Sequence, residues 1–223
     1  MSSNTSKGRG RKGSKFWIQT LVNIDYGSTL SKAIQSVDSS IGDIKWLSPL
    51  KRDNYKELKS KQISSLTNAD FSFWPDNGPW WDSVGVDDVG SIVLVEAKGH
   101  IAETKTKCKA SSERSLARIN KSMEIAHNIL TSSPEYGIMA SHSYDKEVWL
   151  KKYYQIGNRL SFLVKLRQQG FNVKLILLNL VNDSTHISTS LEEWERHYEK
   201  VFQILMGTTK CPSNVVVVNF DVG

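Results

Sequence analysis

The chain of 223 residues has only two cysteines, Cys108 and Cys211, which stand far apart and form no Cys-x-x-Cys pair. They cannot supply the usual zinc cluster or a disulfide framework, so a reducing cytoplasm is the expected compartment. Long hydrophobic runs are also missing. The longest, residues 175–181 (LILLNLV), is interrupted by Asn179 and is too short to span a bilayer. No apolar signal core follows the basic N-terminus, so we expect neither secretion nor membrane insertion.

Several catalytic signatures are absent as well. The sequence contains no GxxxxGK[ST], HExxH, GxSxG or EF-hand loop, which argues against a P-loop nucleotidase, a zinc protease of that type, a serine hydrolase of that type and a calcium sensor. Gly8, Gly10 and Gly13 match GxGxxG. No strand precedes them and no clear helix follows, so a dinucleotide site is not predicted.

Acidic residues are missing from the first 15 residues, which carry five of the basic ones. Without these five, 24 basic residues face 23 acidic ones, so the net charge of +6 is concentrated at the N-terminus. The segment is rich in Ser, Gly, Lys and Arg, and we predict a disordered basic tail over residues 1–15 and a single domain over residues 16–223. The tail fits a nucleic-acid-binding arm and a solubilising extension equally well.

The most informative stretch is residues 80–100, WWDSVGVDDVGSIVLVEAKGH. The apolar run 91–95 is bounded by glycines and predicts a buried strand, and residues 81–86 predict a second strand joined to it by the turn 87–90. Because side chains alternate along a strand, Glu96 and Lys98 share one face, as does His100. An antiparallel neighbour would bring Asp82 beside Glu96.

Two neighbouring carboxylates repel each other unless a cation lies between them. Hard oxygen ligands suit Mg²⁺ or Mn²⁺, and a lysine beside such an ion can orient water and stabilise charge on a phosphate. This combination is suited to phosphodiester hydrolysis. Glu-x-Lys alone is common and is usually a solvated surface pair, so the position of Asp82, Glu96 and Lys98 around a hydrophobic hairpin carries the prediction. His100 could carry a proton or contact phosphate, but a structural role is favoured.

Asp82 followed after thirteen residues by Glu96-Ala97-Lys98 resembles the PD-(D/E)xK nuclease superfamily, the restriction-endonuclease-like proteins. The longer string FWPDNGPWWDSVG…LVEAKGHIAE resembles an uncharacterised bacterial group within it, and WLSPLKRDNYKEL and YYQIGNRLSFLVKL fit on either side. The resemblance spans roughly residues 16–222. No literal Pro-Asp pair is present, because Pro79 lies three residues before Asp82.

The resemblance implies a restriction-endonuclease-like α/β fold and a nuclease that depends on a divalent metal and acts on DNA. Asp82, Glu96 and the Ala97 carbonyl would hold Mg²⁺ or Mn²⁺, and Lys98 would position or activate the attacking water. Glu57 and Gln155 would complete the site, although Glu57 could be a surface carboxylate and Gln155 could lie at the margin of an apolar stripe. Cutting both strands of a duplex would favour a homodimer.

Basic residues follow the predicted strand and would hold the nucleic-acid backbone, although a solvated helix face looks similar. They are Lys105, Lys107, Lys109, Arg114, Arg118 and Lys121. Aromatic residues crowd positions 71–81. Aromatic rings can stack on bases, but packing around a loop is favoured about two to one.

Periodicity predicts further helices over residues 53–66 and 146–169 and a helix that begins with the capping box of residues 190–193 and ends at Gly207. Strands are predicted at residues 44–47, 173–181 and 215–218. Strands and helices alternate after the hairpin, which predicts a mixed β-sheet flanked by α-helices. A second functional interpretation stays open: a module of the same fold that binds nucleic acid or a partner without catalysis.

Overall fold

The computed structural model describes residues 8–76 and 78–223. A five-stranded mixed sheet forms its centre. Its strands, in their order across the sheet, are β1 (Ile44–Ser48), β4 (Ser83–Asp87), β5 (Ile92–Lys98), β6 (Val173–Val181) and β7 (Val215–Asp221). β1, β4 and β5 pair antiparallel, whereas β5, β6 and β7 pair parallel. The predicted mixed sheet is confirmed. β2 (Leu58–Lys59) and β3 (Trp80–Trp81) form a separate antiparallel ribbon.

Helices cover both faces of the sheet. On one face, α1 (Gly13–Asn23) and α2 (Ser28–Val37) pack on alternate residues of β5, such as Val93 and Val95. On the other face, α3 (Glu113–Ser132), α5 (Tyr154–Gln168) and α6 (Leu191–Met206) pack on residues such as Leu94. α4 (Lys146–Lys151) lies beside α5. Among the described residues, no helix combines the length and hydropathy needed to cross a membrane.

The predicted hairpin and the predicted α6 are confirmed. Val84 pairs with Leu94, and the turn after Asp87 closes the hairpin. The Ser190 hydroxyl accepts from the Glu193 N–H, and the Glu193 carboxylate accepts from the Ser190 N–H, which is the predicted capping box. Gly207 ends this helix with a φ of 72°, in the left-handed region that glycine tolerates best.

The helix predicted over residues 53–66 is wrong. Short 3-10 turns at Lys51–Asp53, Ser60–Gln62 and Ser64–Leu66 replace it, with β2 between the first two. Asn54 and Tyr55 have φ values of 52° and 54°, which a right-handed helix does not allow. β2 then pairs with β3, a partner distant in the sequence, and this pairing overrides the local helical pattern.

The predicted helix 146–169 is divided into α4 and α5. Thr106 forms a parallel bridge with Tyr153: its N–H donates to the Lys152 carbonyl and its carbonyl accepts from the Tyr154 N–H. These hydrogen bonds engage the backbone groups of Lys152 and Tyr154, where the predicted helix is interrupted. The extended segment around Thr106, distant in sequence, therefore separates the two helices.

The N-terminal segment also differs from the prediction. α1 begins at Gly13, and Gly8 and Gly10 are hydrogen-bonded to the protein body through Asn54 and Gln19. The Arg9 guanidinium lies 4.9 Å from the Phe16 ring centroid and donates to the Thr20 hydroxyl. Residues 8–15 are therefore packed against the body. The part of the predicted tail before residue 8 lies outside the described residues.

Candidate active site at the end of β5

Glu96 and Lys98 lie at the carboxyl end of β5, and both are buried, with 2% and 6% of their surface exposed. They alternate with Val95 and Ala97, which pack toward α1 and α2, so they face α5 as the strand alternation predicts. In open α/β sheets, ligands bind beyond the carboxyl ends of the strands. The pair therefore lies at the edge of the sheet where such folds bind ligands.

Asp82 occupies the break between β3 and β4. Ser83 is paired with Val95, so the preceding residue, Asp82, comes opposite Glu96, as the sequence predicts. The Ala97 N–H donates to Asp82 Oδ2 over 2.8 Å. Because the N–H and C=O of one strand residue point to the same side, the Ala97 carbonyl is expected at the same edge. Asp82, Glu96 and Ala97 therefore meet at one place.

Arg159 is the buried residue of this site that sequence reasoning missed. Its Nε donates to Glu96 Oε2 over 2.6 Å, and its second terminal nitrogen contacts the same oxygen and donates to the Trp80 carbonyl. Its guanidinium lies 4.6 Å from the Trp81 ring centroid. The available signal was its position on α5, four residues after Gln155 and hence on the same helix face.

Two cations thus hold Glu96. Lys98 Nζ donates to Glu96 Oε1 over 2.5 Å and to Gln155 Oε1 over 3.2 Å. Burial opposes the charged form of Glu96, but Arg159 and Lys98 outweigh it and lower its pKa. Burial likewise opposes the charged form of Lys98, but Glu96 and Asp82 raise its pKa, so the ammonium stays charged. The structure thus brings Gln155 to Lys98.

Asp82 has the opposite electrostatic environment. Burial, followed by the charge of Glu96, raises its pKa to about 7 although Lys98 and Arg159 act against this shift. Its only hydrogen bond within residues 8–76 and 78–223 is the one from Ala97, and it forms no ion pair there. A carboxylate in such surroundings takes up a proton or a cation.

Glu57 lies in the loop before β2 rather than on the predicted helix. It is partly buried, and burial raises its pKa, with Lys15 lowering it, Glu96 raising it and Arg159 lowering it. Glu57 is therefore close enough to Glu96 and Arg159 for their charges to act on its pKa. Lys15, from the first turn of α1, is a neighbour that the sequence analysis assigned to the tail.

The donor set fits a hard divalent cation. Magnesium keeps several waters and is commonly bound through one or two carboxylates, so Asp82 and Glu96 suffice chemically. Over the described ranges, no group of three or more His, Cys, Asp or Glu side chains is arranged to hold a metal ion. Two Arg159 nitrogens contact Glu96 Oε2, but within the described residues Oε1 accepts only from Lys98 and keeps a second lone pair for a metal. The Asp82 carboxylate, which has no ion-pair partner among the described residues, is more exposed than that of Glu96 and is the more accessible oxygen ligand for a metal.

A cleft of about 870 Å³ adjoins the cluster through Gln155. Of the six residues predicted to contact nucleic acid, three line the cleft, whereas the three on α3 do not. The lining residues are Trp74, Pro75, Lys105, Thr106, Lys107, Lys109, Ala110, Ser111, Ser112, Ser115, Ile119, Tyr154 and Gln155. Arg114, Arg118 and Lys121 lie outside this lining.

The remaining predictions for this region concern aromatic residues and His100. Phe71, Phe73 and Trp74 pack around Phe162, with ring centroids 5.0 to 6.5 Å apart, which supports the core-packing interpretation. His100 Nε2 lies 3.7 Å from Glu103 Oε1, and its ring packs edge to face on His186. These contacts agree with a structural role.

We compared the chain with protein-family models, with curated proteins and with solved structures, and none of the three comparisons found a match.

Proposed function

We propose that this protein is a nuclease that depends on a divalent metal and hydrolyses phosphodiester bonds, with DNA as its substrate and a restriction-endonuclease-like fold. The observation that carries the proposal is the convergence of Asp82, Glu96 and Lys98 at the carboxyl end of β5, with Asp82 lacking an ion-pair partner in the described structure. A purely structural cluster has no need of this additional carboxylate, which costs free energy to bury.

The proposed roles follow from the contacts. Asp82 and Glu96, with the Ala97 carbonyl, would hold Mg²⁺ or Mn²⁺, which supplies a Lewis acid and a template for the phosphate oxygens. Lys98 is fixed between Glu96 and Gln155, so its ammonium can orient water and stabilise charge on the phosphate. Gln155 holds Lys98 in place, and Glu57, whose pKa responds to the charges of Glu96 and Arg159, would complete the site. The product would carry a 5′-phosphate, as the resemblance implies.

Arg159 is a positioning residue in this proposal. Two of its nitrogens contact Glu96 Oε2 and fix the carboxylate, and its donation to the Trp80 carbonyl fixes the ribbon that leads into Asp82. Catalytic carboxylates require such support, because small displacements of reacting groups cost large factors in rate.

Cleavage of supercoiled plasmid in Mg²⁺ and in Mn²⁺ tests the proposal. We expect nicking or linearisation by the wild type, and a loss of at least about 100-fold in Asp82→Asn and in Lys98→Ala, the range typical for removing a group that stabilises the transition state. Asp38→Asn is the matched control, since Asp38 lies in an ion pair at the opposite end of the sheet. It should cleave as the wild type does. Activity that survives both site substitutions would come from a contaminant and would refute the assignment.

One observation favours a second candidate function, a binding module without catalysis. Both oxygens of Glu96 already accept hydrogen bonds from cationic side chains, so the chain itself neutralises this carboxylate. In that case neither plasmid, single-stranded DNA nor RNA is cleaved, and Mn²⁺ does not bind at Asp82.

A further inference from the structure

We propose that the cleft beside Gln155 binds a single strand of nucleic acid, with its backbone along Lys105, Lys107 and Lys109. The direction of this strand toward the cluster rests on the proposed function, but strand binding itself does not. The shape, charge and size of the cleft each support the inference.

The three lysines form a regular row. The segment that carries them is held extended: the Thr106 N–H donates to the Lys152 carbonyl, and the Cys108 N–H donates to the Leu150 carbonyl over 2.7 Å. In an extended segment alternate residues point to one side, roughly 7 Å apart. The three lysines are exposed, and Thr106 and Cys108 between them are partly buried. This spacing is comparable with that of successive phosphates along an extended strand.

The charge of the cleft is of one sign. In the described part of the chain, its lining includes the three lysines and no Asp or Glu. Within the described residues, none of these lysines forms an ion pair. Hydroxyl groups of Thr106, Ser111, Ser112 and Ser115 also line it. Unpaired ammonium groups beside hydroxyl donors are the groups that proteins use to contact phosphate oxygens.

Another part of the lining is less polar. Trp74, Pro75, Ile119 and Tyr154 contribute to it. Trp74 and Ile119 are each only 3% exposed, so the partly exposed Tyr154 is the ring available to a base. Bases stack on aromatic rings in proteins that bind single strands without sequence preference. The cleft therefore offers a cationic row to a backbone and an apolar surface to its bases, a pairing that duplex DNA cannot use because its bases are enclosed.

The size of the cleft also suits a single strand better than a duplex. Its 870 Å³ lies within the range of sites for single organic ligands, about 300 to 1,000 Å³, so it admits a few nucleotides of one strand. At its inner end, Gln155 contacts Lys98, which is only 6% exposed. A flexible strand can bend a phosphate into such a position, whereas duplex DNA is stiff over about 150 base pairs.

Fluorescence anisotropy in chelator tests strand binding without catalysis. The probes are a labelled twelve-nucleotide dT strand and a labelled hairpin with a twelve-base-pair stem. We expect the strand to bind at least about tenfold more tightly than the hairpin. Lys107→Glu should weaken strand binding about tenfold or more and lower the slope of log affinity against log salt by about one, as for one lost phosphate contact.

The matched control is Lys121→Glu, which makes the same charge change on an exposed lysine of α3 outside the cleft. It should change strand affinity less than about threefold. The inference is overturned if the hairpin binds as tightly as the strand, if neither probe binds, or if the two charge reversals weaken binding equally. Equal weakening would mean attraction by the general positive charge of the surface.

The variant Asp82→Asn separates this inference from the proposed function. It should bind the dT strand at least as tightly as the wild type. Preferential strand binding by a protein that cleaves no nucleic acid would support the inference and contradict the proposed function. Plasmid cleavage by a protein that binds the dT strand no more tightly than the hairpin would support the proposed function and contradict the inference.

Discussion

Charged side chains lie at both ends of β5 and β6, half-buried at the amino end and buried at the carboxyl end. At the amino end, Lys174 Nζ donates to Asp38 Oδ2 and to the Ser40 hydroxyl, each over 2.9 Å. At this end one cation, one carboxylate and one hydroxyl satisfy one another. At the carboxyl end, Lys98 and Arg159 both hold Glu96, and nearby Asp82 has no ion-pair partner within the described structure.

The two carboxyl groups respond in opposite directions. Burial disfavours the charged form of Asp38, but hydrogen bonds from Ser40 and Lys174 outweigh it and lower its pKa. Burial and the charge of Glu96 raise the pKa of Asp82 to about 7. A structural ion pair stabilises its own carboxylate, whereas a strongly perturbed carboxylate near a cleft is typical of a functional site. Under the proposed function, the comparison distinguishes an ion pair that stabilises the fold from a carboxyl group that would bind the metal.

The largest expected difference between the two ends concerns Arg159. Arg159→Ala should lower the free energy of unfolding by about 3 to 5 kcal/mol, because it leaves Glu96 buried with one cation fewer. Lys174→Ala should cost only about 1 kcal/mol, since 25% of the Asp38 side chain is exposed and water can replace the lysine. Urea denaturation of both variants measures the two values.

Arg159→Lys is the conservative control for this prediction. It keeps the charge but loses the double contact with Glu96 and the hydrogen bond to the Trp80 carbonyl. Its free energy of unfolding should therefore lie between those of the wild type and Arg159→Ala. Equal losses for Arg159→Ala and Lys174→Ala would remove the distinction between the two ends.

A smaller difference is expected in the dependence of stability on pH, measured in chelator. The pKa of Asp82 is higher in the folded protein, about 7, than its ordinary value of 3.8. The folded state therefore binds more protons between these values, and its stability falls as pH rises from about 4 to 7. We expect Asp82 to contribute about 1 to 4 kcal/mol to this fall, since one pKa unit corresponds to about 1.4 kcal/mol.

Asp82→Asn should remove that contribution, which urea denaturation at several pH values would show. The contribution of Asp38 to the pH dependence of stability has the opposite sign, because its pKa is lowered in the folded state. Its contribution is present above pH 4 and lost as pH falls below it, so Asp38→Asn should lower stability by a constant amount above pH 4 and change its dependence on pH only on the acidic side. If wild type and Asp82→Asn lose stability in parallel from pH 4 to 7, Asp82 is not the perturbed group.

Sequence alone predicted the parts of this arrangement that depend on local patterns. Strand alternation placed Glu96 and Lys98 on one face, and the glycine-bounded hairpin placed Asp82 opposite Glu96, both as the structure has them. The helix predicted to carry Glu57 failed because β2 pairs with a distant strand. The role of Arg159 was missed: its carboxylate partner lies 63 residues away, and the only local signal was its position one helical turn after Gln155.

The most direct test is calorimetric titration of Mn²⁺ into the wild type, Asp82→Asn and Asp38→Asn at pH 7.5, together with thermal unfolding at saturating Mn²⁺. We predict that the wild type and Asp38→Asn bind one ion and gain stability, by about 2.7 kcal/mol at a concentration 100 times the Kd, and that Asp82→Asn shows neither effect. Absence of binding to the wild type, or equal binding by Asp82→Asn, would contradict the assignment of Asp82 as a metal ligand.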